Sequence, residues 1–174
     1  SIKNKLDSIG NAISHKNQRL RYGPAGELIG VYENDELIAE YGYDAEGVRI
    51  FKKTRASTEF YLYEEKRLVA VVDTYGNIKS EYIYLGNRPV VRVTHVFEGE
   101  RTNTAVSRKG DRWKIEYLHT DQRDAVTAIT DEKKTIIWKA RLDAFGALRS
   151  NVGAEHNMPL RLSGQYFDSE TGLH

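Results

Sequence analysis

The heptapeptide YDAEGVR, residues 43–49, joins a tyrosine to the chemical signature of a tight turn. An aspartate at the first turn position can accept a hydrogen bond from the backbone N–H two residues later. A glycine three positions after the aspartate supplies the positive φ that ends the turn. The stretch therefore predicts a β-hairpin, in which one strand ends at Tyr43 and the next begins near Val48.

The same signature recurs along the chain at regular distances. The tyrosines at positions 22, 43, 63 and 84 (Tyr22, Tyr43, Tyr63 and Tyr84) are 21, 20 and 21 residues apart. A period of about 20 residues indicates stacked supersecondary units, each of which cannot bury its apolar face alone. We expect these repeat tyrosines to pack in the core and in cross-strand ladders. The predicted turn residues are Asp7 and Gly10, Gly26, Asp44 and Gly47, Asp73 and Gly76, Asp143 and Gly146, and Asp168 and Gly172.

The segments between the turns alternate and are rich in β-branched and aromatic residues, as in residues 67–72 and 78–84. This pattern predicts an all-β fold of antiparallel tandem β-hairpins with about 10–14 short strands. Only residues 2–16 could form a short helix, and residues 98–111 and 151–159 are expected to be longer loops. The charged residues alternate in sign, so we expect them on the solvated faces of the strands.

The composition excludes several classes of function. The chain has 26 Lys and Arg against 25 Asp and Glu, which gives a net charge of +1 and no basic field for nucleic acid. It has no cysteine, which excludes disulfides, thiolate metal sites and cysteine nucleophiles. No apolar run approaches the roughly 20 residues of a membrane span. The five histidines form no ligand pair at short spacing, so we expect no metal and no cofactor.

One cluster could suggest catalysis. His119 and Asp121 would share one face of a strand, and Asp124 follows closely, as in a base–carboxylate site. No candidate nucleophile has supporting spacing, although Thr120 and Ser163 are present. We therefore expect a structural role for these residues in a turn or at a strand end.

The tandem tyrosines and the motif at residues 43–49 resemble the YD repeat of the Rhs, teneurin and insecticidal-toxin group. The C-terminal third carries the more specific likeness. Residues 117–121, 128–131 and 138–146 follow the Rhs core segment in order and spacing, and LRLSGQYFDSETGLH at residues 160–174 resembles the stretch that closes that core. Where that family usually has a Leu-Gly pair, this chain has Arg123 and Asp124.

The resemblance implies a division of the chain and a place in a larger protein. We expect tandem YD-type hairpin repeats in residues 1–97, a polar loop at 98–111 and Rhs core-like hairpins in 112–174, together forming one continuous structural unit. In that family such hairpins wrap into a hollow spiral shell around a C-terminal toxic polypeptide. The aspartate-containing self-cleavage segment of that family lies beyond His174, so no enzymatic activity is expected of this chain.

The function that the resemblance implies is structural: a shell segment of a polymorphic toxin of Rhs type. Its expected partners are neighbouring shell strands, the toxin cargo, or both, with self-association through sheet edges. The parent protein would be made in the cytoplasm and secreted or delivered to the cell exterior. Two alternatives remain open. One is a cell-surface module that binds carbohydrate or protein through a tyrosine-rich face, and the other is a truncated fragment without independent activity. Solvent exposure of the repeat tyrosines would favour the binding module.

Overall fold

The computed structural model describes residues 12–15, 17–96, 112–143, 148–153, 156, 158–161 and 165–173. This part of the chain contains strands and turns and no helix. The strands are β1 (Ser14–His15), β2 (Gln18–Tyr22), β3 (Leu28–Glu33), β4 (Glu36–Tyr43), β5 (Arg49–Thr54), β6 (Thr58–Glu64), β7 (Arg67–Asp73), β8 (Ile78–Leu85), β9 (Arg88–Val96), β10 (Arg112–Thr120), β11 (Val126–Thr130), β12 (Ile136–Leu142) and β13 (Leu148–Val152).

Strands β1 to β6 pair in the order of the chain, and so do strands β7 to β13, and each of these pairs is antiparallel. The predicted fold class, an all-β succession of antiparallel hairpins, is therefore confirmed. Short connections account for most of this order, because a two- to five-residue turn can only return the chain to the adjacent antiparallel position. The connection between β9 and β10, residues 97–111, is longer.

Two local predictions are wrong. Residues 14 and 15, within the predicted helix, form β1, because their backbone pairs with Gln18 and Arg19 of β2. The loop expected at 151–159 begins later, since Asn151 and Val152 still pair with β12. The remaining part of the predicted helix before residue 12, and the polar loop at 98–111, lie outside the described residues.

Contacts between residues of the chain group it into two compact units, Ser1–Tyr61 and Leu62–His174. In the first unit, Leu20, Val31 and Ala39 form a buried row across β2, β3 and β4. Tyr41 and Tyr61 are also buried. Apolar side chains that face each other across strands at this spacing form the core that a single hairpin lacks.

The second unit has a denser core. Leu118 pairs with Ile129, and Ile129 pairs with Trp138, so three large apolar side chains lie side by side across β10, β11 and β12. Ile129 is fully buried and Trp138 is 2% exposed. Met158, beyond β13, is buried as well, together with Val126 and Ala140.

Candidate functional site

One turn geometry recurs in both units and starts at Asp44, Asp73, Asp121 and Asp131. In each turn the aspartate Oδ1 accepts hydrogen bonds from the N–H groups of the second and fourth following residues, at 2.8–3.1 Å. The aspartate carbonyl accepts the N–H of the third following residue at 2.9–3.1 Å. The carboxylate thus satisfies the backbone donors that the turn would otherwise leave without a partner.

The fourth position of this turn always has positive φ, but it is not always glycine. Gly47 and Gly76 have φ of 78° and 79°, whereas Asp124 and Lys134 have φ of 58° and 64°. The turn at Asp131 was not predicted from the sequence, and Asp121 was expected only in a turn or at a strand end, because the glycine that marks this turn is absent. Another feature of the sequence could have predicted these two turns. The two aspartates are ten residues apart and flank a β-branched segment, residues 126–130.

The other predicted turn residues have varied surroundings. Gly26 has φ of 84° and donates its N–H to the carbonyl of Gly23, with no aspartate in the turn. Asp168 is buried, and its carbonyl accepts the N–H of Gly172 at 2.7 Å. Asp143 is ion-paired with Arg149 at 2.8 Å. Asp7, Gly10 and Gly146 lie outside the described residues.

The positive φ at Lys134 gives a direct test of the shared turn geometry. A side chain in the left-handed region costs about 1–2 kcal/mol, and glycine removes that cost while losing roughly 0.5–1 kcal/mol to chain entropy. Lys134→Gly is therefore expected to raise the free energy of unfolding by about 0.5–1 kcal/mol. The neighbouring Lys133→Gly, at negative φ, is expected to lower it. Urea denaturation compares the two, and an equal loss of stability in both would contradict the assignment.

The hydroxyl groups of three repeat tyrosines bind backbone carbonyls of the preceding segments. The hydroxyl of Tyr22 donates to Ala12 at 3.0 Å, that of Tyr43 to Leu28 at 2.8 Å, and that of Tyr84 to Leu68 at 3.0 Å. The strand register shifts by a bulge immediately before each of these tyrosines. A bulge bends the strand, and each bond then links the strand end to the strand or segment before it.

The repeat tyrosines are not a fully exposed row. Tyr22, Tyr43 and Tyr84 are half-buried, and Tyr63 is 36% exposed. Burial raises the pKa of Tyr84 to about 12, with Tyr82 adding to the rise and Arg67 opposing it. The fully buried tyrosines are Tyr41, Tyr61 and Tyr82, each two residues before a repeat tyrosine. The expected cross-strand aromatic ladder stays a prediction.

Each unit also contains a largely buried row in which a tyrosine, a cation and a carboxylate lie on three successive strands. We call these polar rows. In the first, Tyr41, Lys52 and Glu59 are cross-strand neighbours on β4, β5 and β6, and Lys52 Nζ lies 3.5 Å from Glu59 Oε2. The guanidinium of Arg49 stacks over the ring of Tyr41 at 5.2 Å.

The second polar row consists of Tyr82, Arg92 and Glu116 on β8, β9 and β10. Arg92 Nε donates to Glu116 Oε2 at 2.5 Å, and Lys114 Nζ lies 2.8 Å from Glu116 Oε1. Glu116 is 1% exposed. Burial opposes its ionisation, but the hydrogen bond and charge of Arg92, with those of Lys114, hold the pKa of Glu116 below its usual value.

The polar rows correct the expectation that charged residues lie on solvated faces. Lys52, Arg92 and Glu116 are each less than 8% exposed. They are tolerated inside because opposite charges meet within each row, so no buried charge is left without a counterion. A short-range sequence pattern could not show the Arg92–Glu116 pair, since the two residues are 24 positions apart.

The possible catalytic cluster has other partners in the structure. His119 Nε2 lies 3.0 Å from Thr130 Oγ1. Asp121 is engaged in its turn and with Arg123, and Asp124 accepts a hydrogen bond from Arg88 at 3.0 Å. Each of the three side chains thus has a structural contact. Within the described ranges, no three His, Asp or Glu side chains group as metal ligands. No helix long and apolar enough to cross a membrane is found among those residues.

Solved structures of toxin complexes share this fold. The chain aligns with the Photorhabdus luminescens Tc holotoxin pore at a TM-score of 0.63 and 17% identity, over 95% of this chain and 8% of that one. It aligns with the TcdB2–TccC3 crystal structure at a TM-score of 0.62 and 16% identity, over 95% of this chain and 9% of that one. At these identities the likeness establishes the fold.

Curated relatives match in sequence along nearly the whole chain. The chain is 29% identical to the double-stranded DNA deaminase toxin A of Burkholderia cenocepacia (strain H111), covering 99% of the chain and 14% of that protein. It is 25% identical to Teneurin-m of Drosophila melanogaster, covering 98% of the chain and 6% of that protein. The chain therefore spans a small part of the relatives that it matches. No protein-family model matches it.

Proposed function

We propose that this chain is a structural segment of a YD-repeat shell of Rhs type, which encloses or presents a toxic polypeptide. The observation that carries the proposal is the extent of the structural match. Hairpins along 95% of the chain align with chains of toxin complexes, and they correspond to only 8–9% of those chains. A segment of this size fits one part of a long wall of repeats. The similarity to a deaminase toxin supports the toxin context.

The polar rows support a wall that can face another polypeptide. In each row the cation and the carboxylate meet inside the segment, at 3.5 Å for Lys52 and Glu59 and at 2.5 Å for Arg92 and Glu116. The charges of these rows are neutralised internally, so the rows do not need a partner's charges for their stability. A wall of this kind can therefore enclose cargo of varied sequence, which is what a shell for interchangeable toxins requires.

The repeat tyrosines also favour a structural role over a carbohydrate-binding platform. Three of their four hydroxyls donate to carbonyls of the same chain. A binding module would instead use exposed side chains such as Ile83 and Tyr117, which are 53% and 43% exposed. Both residues are cross-strand neighbours of Val91. We further propose that the chain has no enzymatic activity of its own and belongs to a secreted or delivered protein.

Protease protection tests the proposal. The complete protein encoded by the reading frame that contains residues 1–174 is expressed. It is then treated with a nonspecific protease. We expect the polypeptide encoded after this segment to resist digestion. Glu116→Ala, which breaks the second polar row, is expected to make that polypeptide sensitive, whereas Glu36→Ala, at an exposed ion pair, is not. If the downstream polypeptide is digested while the segment of residues 1–174 stays intact, the shell function is refuted and the binding module is favoured.

A further inference from the structure

A cavity of about 240 Å³ opens in the second unit between the β6–β7 turn, the β8–β9 turn and the residues Leu160, Arg161, Gln165 and Tyr166. Its walls combine aromatic rings, from Tyr63, Tyr84 and Tyr166, with aliphatic side chains and a few charged groups. Small-molecule sites commonly have this character: a mainly apolar concave surface with a few convergent polar groups.

Arg161 lies in the wall of this cavity and has no ion-pair partner among the residues that the structure describes. Its side chain is 6% exposed, and its Nε and Nη1 are buried without a hydrogen-bond acceptor among the described residues. The guanidinium lies 4.7 Å from the ring centroid of Phe167, which supplies some attraction but accepts no conventional hydrogen bond. Burial lowers the pKa of Arg161. A buried cation with unsatisfied donors is costly, so native proteins rarely keep one without a reason.

Two acidic residues border the cavity, but both are engaged with other cations. Glu65 Oε2 pairs with Arg67 at 2.7 Å, and Asp124 Oδ1 pairs with Arg88 at 3.0 Å. Lys66, also in the wall, forms no ion pair with any residue that the structure describes. The uncompensated charge of the cavity is therefore positive.

Gln165 lines the same cavity and carries a hydrogen-bond acceptor. Gln165 Oε1 is buried and has no hydrogen-bond partner among the described residues. Arginine presents parallel N–H donors that fit the two oxygens of a carboxylate. A ligand that satisfies both residues therefore has an anionic group for Arg161 and an N–H donor nearby for Gln165.

We propose that this cavity is a carboxylate-binding site, in which Arg161 holds the anionic group and Gln165 accepts an N–H from the same ligand. The aromatic and aliphatic walls fit a hydrocarbon stem, so the ligand is the side chain of an aspartate or glutamate with its backbone amide. That the carboxylate comes from a polypeptide rests on the proposed function, whereas the anion site does not.

The test titrates the chain with capped single residues. N-acetyl-aspartate and N-acetyl-glutamate N-methylamides are the probes, N-acetyl-glutamine N-methylamide is the neutral control, and inorganic phosphate is the competing anion. Binding is followed by the NMR signal of the Arg161 Nε–H and by thermal unfolding. We expect saturable binding of an acidic probe, no binding of the glutamine analogue, and weaker binding of phosphate.

Two variants separate binding from folding. Arg161→Met is expected to weaken binding of the acidic probe at least tenfold and to leave the stability of the free chain unchanged or higher, because it removes an unpaired buried charge. Arg55→Met, at an exposed ion pair, is the matched control and should bind as the wild type does.

Several results would overturn the proposal. They are the absence of saturable binding by either acidic probe, a preference for phosphate, or binding that Arg161→Met leaves intact. A further result would also count against the site: the wild type does not bind the probes, and Arg161→Met is less stable than the wild type. Arg161 would then have a purely structural role against Phe167. These results are independent of the protease-protection experiment, so the site and the shell can fail separately.

Discussion

Replacement of Glu116 by alanine is expected to lower the free energy of unfolding by about 3–5 kcal/mol, the range for removing one partner of a buried ion pair. The loss is large because Arg92 would remain inside the fold as an uncompensated cation. Arg92 is 7% exposed, and Glu116 Oε2 accepts the hydrogen bond from its Nε. Urea denaturation followed by far-ultraviolet circular dichroism measures the change.

Two controls identify the cause. Arg92→Met combined with Glu116→Leu removes both charges and is expected to cost much less than Glu116→Ala alone, because no buried charge is left unpaired. Glu36→Ala breaks the exposed pair with Arg55, and it should cost about 1 kcal/mol or less. If the double variant were as unstable as Glu116→Ala, the loss would come from packing and not from charge.

The depressed pKa of Glu116 gives this contribution a definite pH dependence. The folded-state pKa lies below the ordinary value of 4.5, so the contribution is complete above that value and is lost as the pH falls through the folded-state pKa. Glu116→Gln cannot titrate and should therefore show a shallower loss of stability in acid than the wild type.

Replacement of Trp138 by alanine is the second change with a large expected effect. Trp138 is 2% exposed and pairs with Ile129, which is fully buried. Truncation of a buried tryptophan removes its transfer free energy and leaves a cavity, at a cost of about 3–5 kcal/mol. Denaturation followed by circular dichroism is the measurement, because the variant loses one of the two tryptophans.

Trp113 is the matched control, since it is the other tryptophan and is 59% exposed. Its main described contact is with the ring of His95, with 3.8 Å between the two ring centroids. An aromatic pair at an exposed position contributes little, so Trp113→Ala should lower the free energy of unfolding by about 1 kcal/mol or less. Similar losses for both tryptophans would mean that the β10–β12 core does not hold the second unit together.

The hairpin fold could be predicted from the sequence because its determinants are local. The turns at Asp44 and Asp73 form from a carboxylate and N–H groups within four residues of each other. The equivalent turn at Asp131 lacks the glycine that marks it, since Lys134 adopts positive φ in its place. Ser14 and His15 form a strand and not the helix predicted for residues 2–16, because their backbone pairs with β2.

The polar rows depend on register and could not be read from local patterns. Lys52 and Glu59 meet because β5 and β6 pair at that register, and Arg92 and Glu116 meet across β9 and β10. Charged side chains in alternating strands look solvated until the partner strand is known. Arg161, whose guanidinium has no ion-pair partner among the described residues, could likewise be recognised only from the assembled walls of its cavity.

We propose that this chain forms part of a continuous wall of hairpins. A cryo-electron microscopy map of the full-length product of its reading frame tests that claim most directly. We expect hairpins of the same kind to continue from this segment and to surround density for a polypeptide. A map in which this segment is a separate domain with both outer strands in solvent and nothing enclosed would contradict it.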